Sequence, residues 1–199
     1  MKQKIQKKAR SNEMEIPQEP APQKAKHLAW GITGAGDKLA ETVAVMEEIK
    51  ARGYMIDVFA SREGEKVLKC YKLLEGVKTN FSKYNVEKGP NSPFLPGMTQ
   101  IGKYDALIIS PASANTTAKI VHGIGDSLIS NAVAQTTKCG VPVYIFPVDS
   151  QKGSVQTKAP NGREFELTMR KIDIKNAKKL SKMECITVVK SPEKLKKYF

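Results

Sequence analysis

Apolar positions along the chain fall into short continuous runs separated by stretches with helical spacing. "HLAWGIT" (His27 to Thr33), "MIDVFAS" (Met55 to Ser61), "YDALIIS" (Tyr104 to Ser110), "VPVYIFPV" (Val141 to Val148) and "ECITVVKS" (Glu184 to Ser191) each read as a buried strand. Leu39, Val43, Met46 and Ile49 mark one face of a helix that runs from the glycine turn at Gly34 to Gly53. "REGEKVLKCYKLLEG" reads as one further helix, followed by a short helix ending near His122, a helix from Ser127 to Lys138 behind Asp126, and "IDIKNAKKLSKM". "PEKLKKYF" reads as a terminal helical turn. Residues 77 to 103, with Asn80, Gly89, Pro90, Asn91, Pro93, Pro96 and Gly97, read as a long loop, as does the polar "DSQKGSVQTKAPNGREF".

Strands alternating with helices predict an α/β fold with a doubly wound, mostly parallel sheet in three layers, of the Rossmann or flavodoxin kind. A single domain is expected over residues 27–199, behind a Lys-, Gln-, Glu- and Pro-rich segment, 1–26, expected to be a disordered basic tail. In such sheets ligands sit beyond the carboxyl ends of the strands, near the reversal of strand order. The turns after strands are therefore the places to look for chemistry.

Charge changes this picture only at the ends. The net charge is +13. Residues 1–26 contribute +4, 27–150 only +1, and 151–199 a further +8. Such ends suit nucleic acid, an acidic protein or an anionic substrate, and equally a merely soluble Lys-rich surface. The three cysteines, Cys70, Cys139 and Cys185, are far apart and form no C-x-x-C pair, which disfavours a disulfide framework and a cysteine-ligated metal. Cys185, in the apolar "CITVV", is expected to be a buried structural thiol. The two histidines, His27 and His122, make an ordinary metal site improbable. No apolar run approaches the roughly 18 to 20 residues of a membrane span. The N-terminal residues lack a signal-peptide core, so a cytoplasmic protein is expected.

Three strand ends carry candidate binding groups. The first ends in "GITGAG", where Gly31, Gly34 and Gly36 around Ala35 let backbone N–H groups approach an anion and Thr33 adds a hydroxyl. Tight packing is the plain alternative for such glycines. The spacing is not G-x-G-x-x-G, no acid ends the second strand for a ribose, and no Gly-Lys-Ser/Thr signature is present. The second strand ends in Ser61 and Arg62, a hydroxyl and a fixed charge suited to phosphate, or else a helix cap. The third opens "SPASANTTAKIVHGIGDSL", where Ser110, Ser113, Asn115, Thr116 and Thr117 crowd into eight residues. One cap uses one such side chain. The surplus suits a planar heterocycle that needs several directed hydrogen bonds, with an over-capped helix start as the alternative.

"GITGAG", a Ser after the second strand, and "PASANTTAKIVHGIGDSLIS" together resemble the flavin-binding family that includes phosphopantothenoylcysteine and lantibiotic-peptide cysteine decarboxylases. The resemblance covers about residues 27–150. With "VYIFPVDSQ" and "MRKIDIKNAKKLSKMECITVV" the chain is most similar to the archaeal flavoprotein and dihydromethanopterin reductase branch. The resemblance implies FMN bound without a covalent link and trimers, or multiples of trimers, with flavin at the subunit boundary. It implies that Ser113 and Thr116 face the flavin within the run Ser110, Pro111, Ala112, Ser113. It also implies that Asn115 points toward whatever lies over the ring.

The decarboxylases of that family need a mid-chain His, the Asn of P-A-S-A-N-T and a P-x-M-N-x-x-M clamp. Only the Asn is present, as Asn115; residues 78–104 hold no His, and "PVDSQKG" replaces the clamp. The expectation is therefore an FMN oxidoreductase passing electrons from a ferredoxin-like acidic donor to a small acceptor such as a pterin. A phosphopantothenoylcysteine decarboxylase-like enzyme is the alternative. A basic nucleic-acid module is a weaker one, because Arg is scarce and no aromatic residues interleave with it.

Overall fold

The structure, a computed structural model, describes residues 26–199. The expectation of a disordered tail falls on residues outside this range, apart from the exposed Lys26. Strands β1 (His27–Ile32), β2 (Met55–Ala60), β3 (Lys83–Val86), β4 (Ala106–Ala112), β5 (Val143–Pro147) and β8 (Ile186–Val188) form a six-stranded sheet in the order β3-β2-β1-β4-β5-β8. Every neighbouring pair is parallel. The order runs outward from β1 on one side and from β4 on the other, so the β1–β4 boundary is the switch point.

Period-two alternation divides the apolar side chains between two faces. Leu28, Trp30 and Ile32 of β1, Ile56 and Val58 of β2, and Ile108 of β4 face α1 (Leu39–Ala51), α2 (Arg62–Cys70) and α3 (Leu74–Asn80). Ala29, Phe59, Leu107, Ile109, Val143 and Ile145 face α4 (Leu95–Gln100), α5 (Ala114–Val121), α6 (Leu128–Lys138) and α7 (Lys171–Leu180). Because both faces are covered, the strands read as continuous apolar runs. The result is the doubly wound α/β fold expected from the sequence.

Several local expectations change. The long loop at 77–103 contains the edge strand β3 and the helix α4. β3 is short and nowhere fully buried, so it carries no apolar run; α4 is six residues long and contains Pro96 and Gly97. The helix expected across Arg62 to Gly76 divides at Lys72, whose φ is +59°, into α2 and α3. The helix expected from Gly34 begins at Leu39, after a left-handed Lys38. The second polar loop is an antiparallel hairpin, β6 (Ser154–Lys158) and β7 (Glu164–Thr168). Both strands do alternate, Val155 and Thr157 half-buried in β6 and Phe165 and Leu167 between polar residues in β7, but the pattern is short and set among Lys, Gly, Pro and Asn, so the segment reads as a loop. Cys185 is exposed, with φ +61°, just ahead of β8 rather than buried within it. Pro192–Lys197 is a 3₁₀ turn packed on α1. Among the described residues no helix is long and apolar enough to cross a membrane.

Candidate functional site

A cavity of about 450 Å³ opens beyond the carboxyl ends of β1, β2 and β4, at the switch point. Three helices start at its wall. Ser61, Ser113 and Ser127 are the N-caps of α2, α5 and α6, and all three line the cavity. Ser61 Oγ accepts from Gly64 N at 2.9 Å, and Ser113 Oγ from Thr116 N at 3.3 Å. Ser127 and Ser130 cap each other reciprocally, with both hydroxyl-to-backbone bonds at 3.3 Å. Three positive helix ends thus point at one space, an arrangement that favours a bound anion.

The crowded turn after β4 resolves into separate tasks. Ser113 caps α5 and donates its hydroxyl proton to Thr116 Oγ1 at 3.2 Å. Thr117 is buried. Ser110 lies inside β4, where its hydroxyl meets Thr42 Oγ1 at 3.2 Å and its carbonyl accepts from Trp30 Nε1 at 2.9 Å. Asn115 is left over: it is exposed, lines the cavity, and its side chain makes no hydrogen bond among the described residues.

Six of the expected site residues line the cavity: Gly34, Ser61, Arg62, Ser113, Asn115 and Thr116. The others stand behind it. Thr33 is buried; its hydroxyl donates to Pro111 O at 2.8 Å and accepts from Ser113 N at 2.8 Å. It rivets the turn after β1 to the turn after β4. Pro111 and Ala112 are buried in β4, and Ala35 is buried in the turn after β1. Gly31 packs against Ile109 and Ile129 side chains, and Gly36 faces the Tyr71 ring in a separate cavity of about 360 Å³ under the hairpin.

Glu87 was not anticipated from the sequence. One carboxylate oxygen accepts from Leu128 N at 2.9 Å and the other from Arg62 N at 3.3 Å, so a single side chain bridges the starts of α6 and α2. Arg62 Nη2 donates to Lys88 O at 2.7 Å, which fastens the segment after β3 over the cavity. Asn131 holds that segment to α6 through Pro90 O (2.9 Å) and Asn91 Oδ1 (2.8 Å). Lys119 and Asp126 pair across the rim at 2.9 Å. The signal for Glu87 was its place directly after β3, and it was hidden because β3 itself was hidden.

The cavity suits a planar, anionic ligand. Its volume lies in the range of small-molecule sites. Gly34 lets the turn after β1 lie close against α2 at the cavity wall: a Cβ there would come within 2.7 Å of Glu63 Cβ. Arg62 and the N-terminus of α2 lie at the Ser61 side, while the N-terminus of α5, with the Asn115 amide and Thr116, forms the other wall. One end therefore suits phosphate and the other a hydrogen-bonding ring.

The chain matches the protein-family model described as Flavoprotein over residues 16–197. An uncharacterised protein of Methanocaldococcus jannaschii is 46% identical over 171 residues, covering 85% of this chain and 92% of that one. A dihydromethanopterin reductase (acceptor) of the same organism is 32% identical over 234 residues, covering 86% and 95%. Among solved structures, Burkholderia xenovorans DmrB in complex with FMN, described as a cubic protein cage for redox transfer, matches with a TM-score of 0.77. Its sequence identity is 31%, over 88% of this chain and 94% of that one.

Proposed function

Since the chain belongs to the Flavoprotein family, we propose that it is an FMN-dependent oxidoreductase that passes electrons from a low-potential donor to a small acceptor of the dihydropterin class. The observation that carries this reading is the convergence of three helix N-termini and the unengaged Asn115 amide on one cavity at the switch point. Gly34, Arg62 and the start of α2 would hold the phosphate end, and the Ser113–Thr116 turn the ring. Bound there, FMN supplies one- and two-electron transfer. Asn115 would orient the acceptor, and Glu87 with Arg62 would keep the covering segment in place. The 32%-identical relative, a dihydromethanopterin reductase, supports the dihydropterin, and the DmrB complex supports FMN.

Two partner readings accompany it. Lys152, Lys171, Lys175 and Lys178 surround a groove of about 460 Å³ at the base of the hairpin, and none pairs with a carboxylate among the described residues. An acidic donor of the ferredoxin kind fits that field. Phe94, Ile101 and Ile124 are 64%, 79% and 47% exposed on the turns flanking α4 and α6, which supports closure of the site by further copies of the chain, as a trimer or a multiple of three.

The test is the absorption spectrum of the purified protein, with the released cofactor identified by chromatography, followed by anaerobic assay with a dihydropterin. A yellow protein that releases FMN and yields tetrahydropterin is expected. A protein that binds no FMN overturns the reading, and release of carbon dioxide from a phosphopantothenoylcysteine-like thiol replaces it with the decarboxylase.

A further inference from the structure

The hairpin is held to the body by one of its strands. Val155 of β6 lines a cavity of about 210 Å³ with Phe146 and Val148, and Thr157 and Lys158 carry the bonds to Asp37 and Tyr71. Among the described residues, Glu164–Thr168 makes no hydrogen bond or ion pair except to β6. Met169 N donates to Gly153 O at 3.0 Å, and Ala159 N to Arg163 O at 2.9 Å. Both bonds join odd-numbered residues, and the direction of backbone bonding alternates along a strand. Phe165 and Leu167 therefore bond to β6, while the N–H and C=O groups of Glu164, Glu166 and Thr168 point away from it. β7 thus presents an unpaired edge, a template for another strand. One face of it is apolar: Phe165 and Leu167, 38% and 44% exposed, lie on the side that carries the half-buried Val155 and Thr157.

We propose that this edge pairs with the same edge of a second copy of the chain, antiparallel about a two-fold axis at Leu167, so that the two hairpins join into one continuous sheet. The order of charges along the strand selects that partner. β7 begins acidic, with Glu164 and Glu166, and the chain stays extended into Arg170, followed by Lys171. Antiparallel self-pairing sets the acidic end of each strand against the basic end of the other. With Leu167 opposite the partner's Leu167, Phe165 meets the partner's Met169 and Glu166 meets the partner's Thr168. Glu164, already paired with Lys158 at 2.8 Å, then faces the partner's Arg170. Glu166 and Thr168 exchange backbone bonds across the axis in both directions, and the apolar pairs close the uncovered face. Moving the axis to Glu166 would place two like carboxylates directly opposite, which repels. The contact needs neither flavin nor acceptor and stands apart from the redox reading. Added to a three-fold contact, it would join trimers to one another.

The experiment combines light scattering with cross-linking of the full-length chain. Glu166→Pro removes an outward N–H and leaves the bonds to β6 in place, so the particle mass should fall by at least about two-fold. In a chain whose Cys70, Cys139 and Cys185 are replaced by Ser, Leu167→Cys should form a disulfide-linked pair under mild oxidation. Directly opposed residues outside the bonded pairs lie about 4.5 Å apart at Cα, within reach of a disulfide. Phe165→Cys, which faces Met169 in this register, should not link. A mass unchanged by Glu166→Pro, no link at position 167, or equal linking at 165 and 167 overturns the proposal. An edge covered by residues 1–25 or by a foreign strand gives no link at 167 and overturns it as well. If Glu166→Pro does not fold, the two cysteine variants decide. A wild type with the mass of one trimer removes this contact and leaves the three-fold reading; a wild-type dimer does the reverse.

Discussion

Asn115 and Thr33 show how differently two polar residues at strand ends are used. Asn115 makes no side-chain hydrogen bond among the described residues, so Asn115→Ala should leave FMN bound and reducible by dithionite. Transfer to the acceptor should slow by about 5- to 150-fold, the equivalent of a hydrogen bond of about 1 to 3 kcal/mol, in a stopped-flow measurement. Thr33 is fully engaged within the protein. Thr33→Ala leaves Ser113 N without its acceptor, while Pro111 O keeps the Thr33 backbone N–H at 3.3 Å, and should cost about 1 to 3 kcal/mol in urea unfolding, whatever its effect on flavin. A third residue acts at the other end of the sheet. Asp57 is buried, and burial pushes its carboxyl up, yet hydrogen bonds from Tyr104 (2.8 Å) and Lys103 (3.3 Å), with His27 Nε2 3.2 Å away, hold it below its ordinary value of 3.8. A carboxyl depressed by folding stabilises the protein above its unfolded pKa, and that contribution is lost as pH falls through the folded value. Asp57→Asn should therefore flatten the acid limb of a stability–pH curve, and an unaltered limb would assign acid unfolding to other groups.

At the scale of elements, the site depends on how closely α2 approaches β1. A Cβ on Gly64 would sit 2.4 Å from Ile32 O, so only glycine lets the first turn of α2 lie against the strand end with Ser61 and Arg62 at the cavity. Gly64→Ala should lower the melting temperature and weaken FMN retention together; retention unchanged at a lowered melting temperature would separate α2 from the ligand. The hairpin is tied down at two points, Tyr71 OH to Lys158 O at 2.8 Å and Thr157 Oγ1 to Asp37 Oδ1 at 3.4 Å. Those tethers join residues 87 and 120 positions apart, a pairing that no local pattern announces.

At the largest scale, the lysines around α7, unpaired among the described residues, and the exposed apolar turns near α4 are the features most open to partners. Raising salt from about 0.05 to 0.5 M should slow flavin reduction by an acidic ferredoxin while leaving reduction by dithionite unchanged, because screening acts on protein encounter. An equal response of both reductions would remove electrostatic docking. Light scattering should give the mass of a trimer or a multiple of it; a monomer with FMN fully bound would show that the site needs no second copy.

The sequence by itself determined five of the six strands of the main sheet, most of the helices that cover them but not α4, and the turns where chemistry gathers, because a strand buried on both faces is apolar throughout and Ser, Thr, Asp and Asn are the favoured helix caps. Ser61, Arg62, Ser113, Asn115 and Thr116 were legible for that reason. Tertiary structure alone decided the rest. β3 has no apolar run and the hairpin only a five-residue alternation in each strand amid turn-forming residues, so pairing with partners decided both, and that hid Glu87 and the tethers to Tyr71 and Asp37. Which hydroxyl faces the cavity and which is spent on the scaffold was equally invisible: Thr33 and Ser110 sit within a few residues of Gly34 and Ser113, yet their bonds go to Pro111 and Thr42 across the sheet. A side chain's chemistry is written in the sequence, but its free valence depends on what the fold brings within about 3 Å of it.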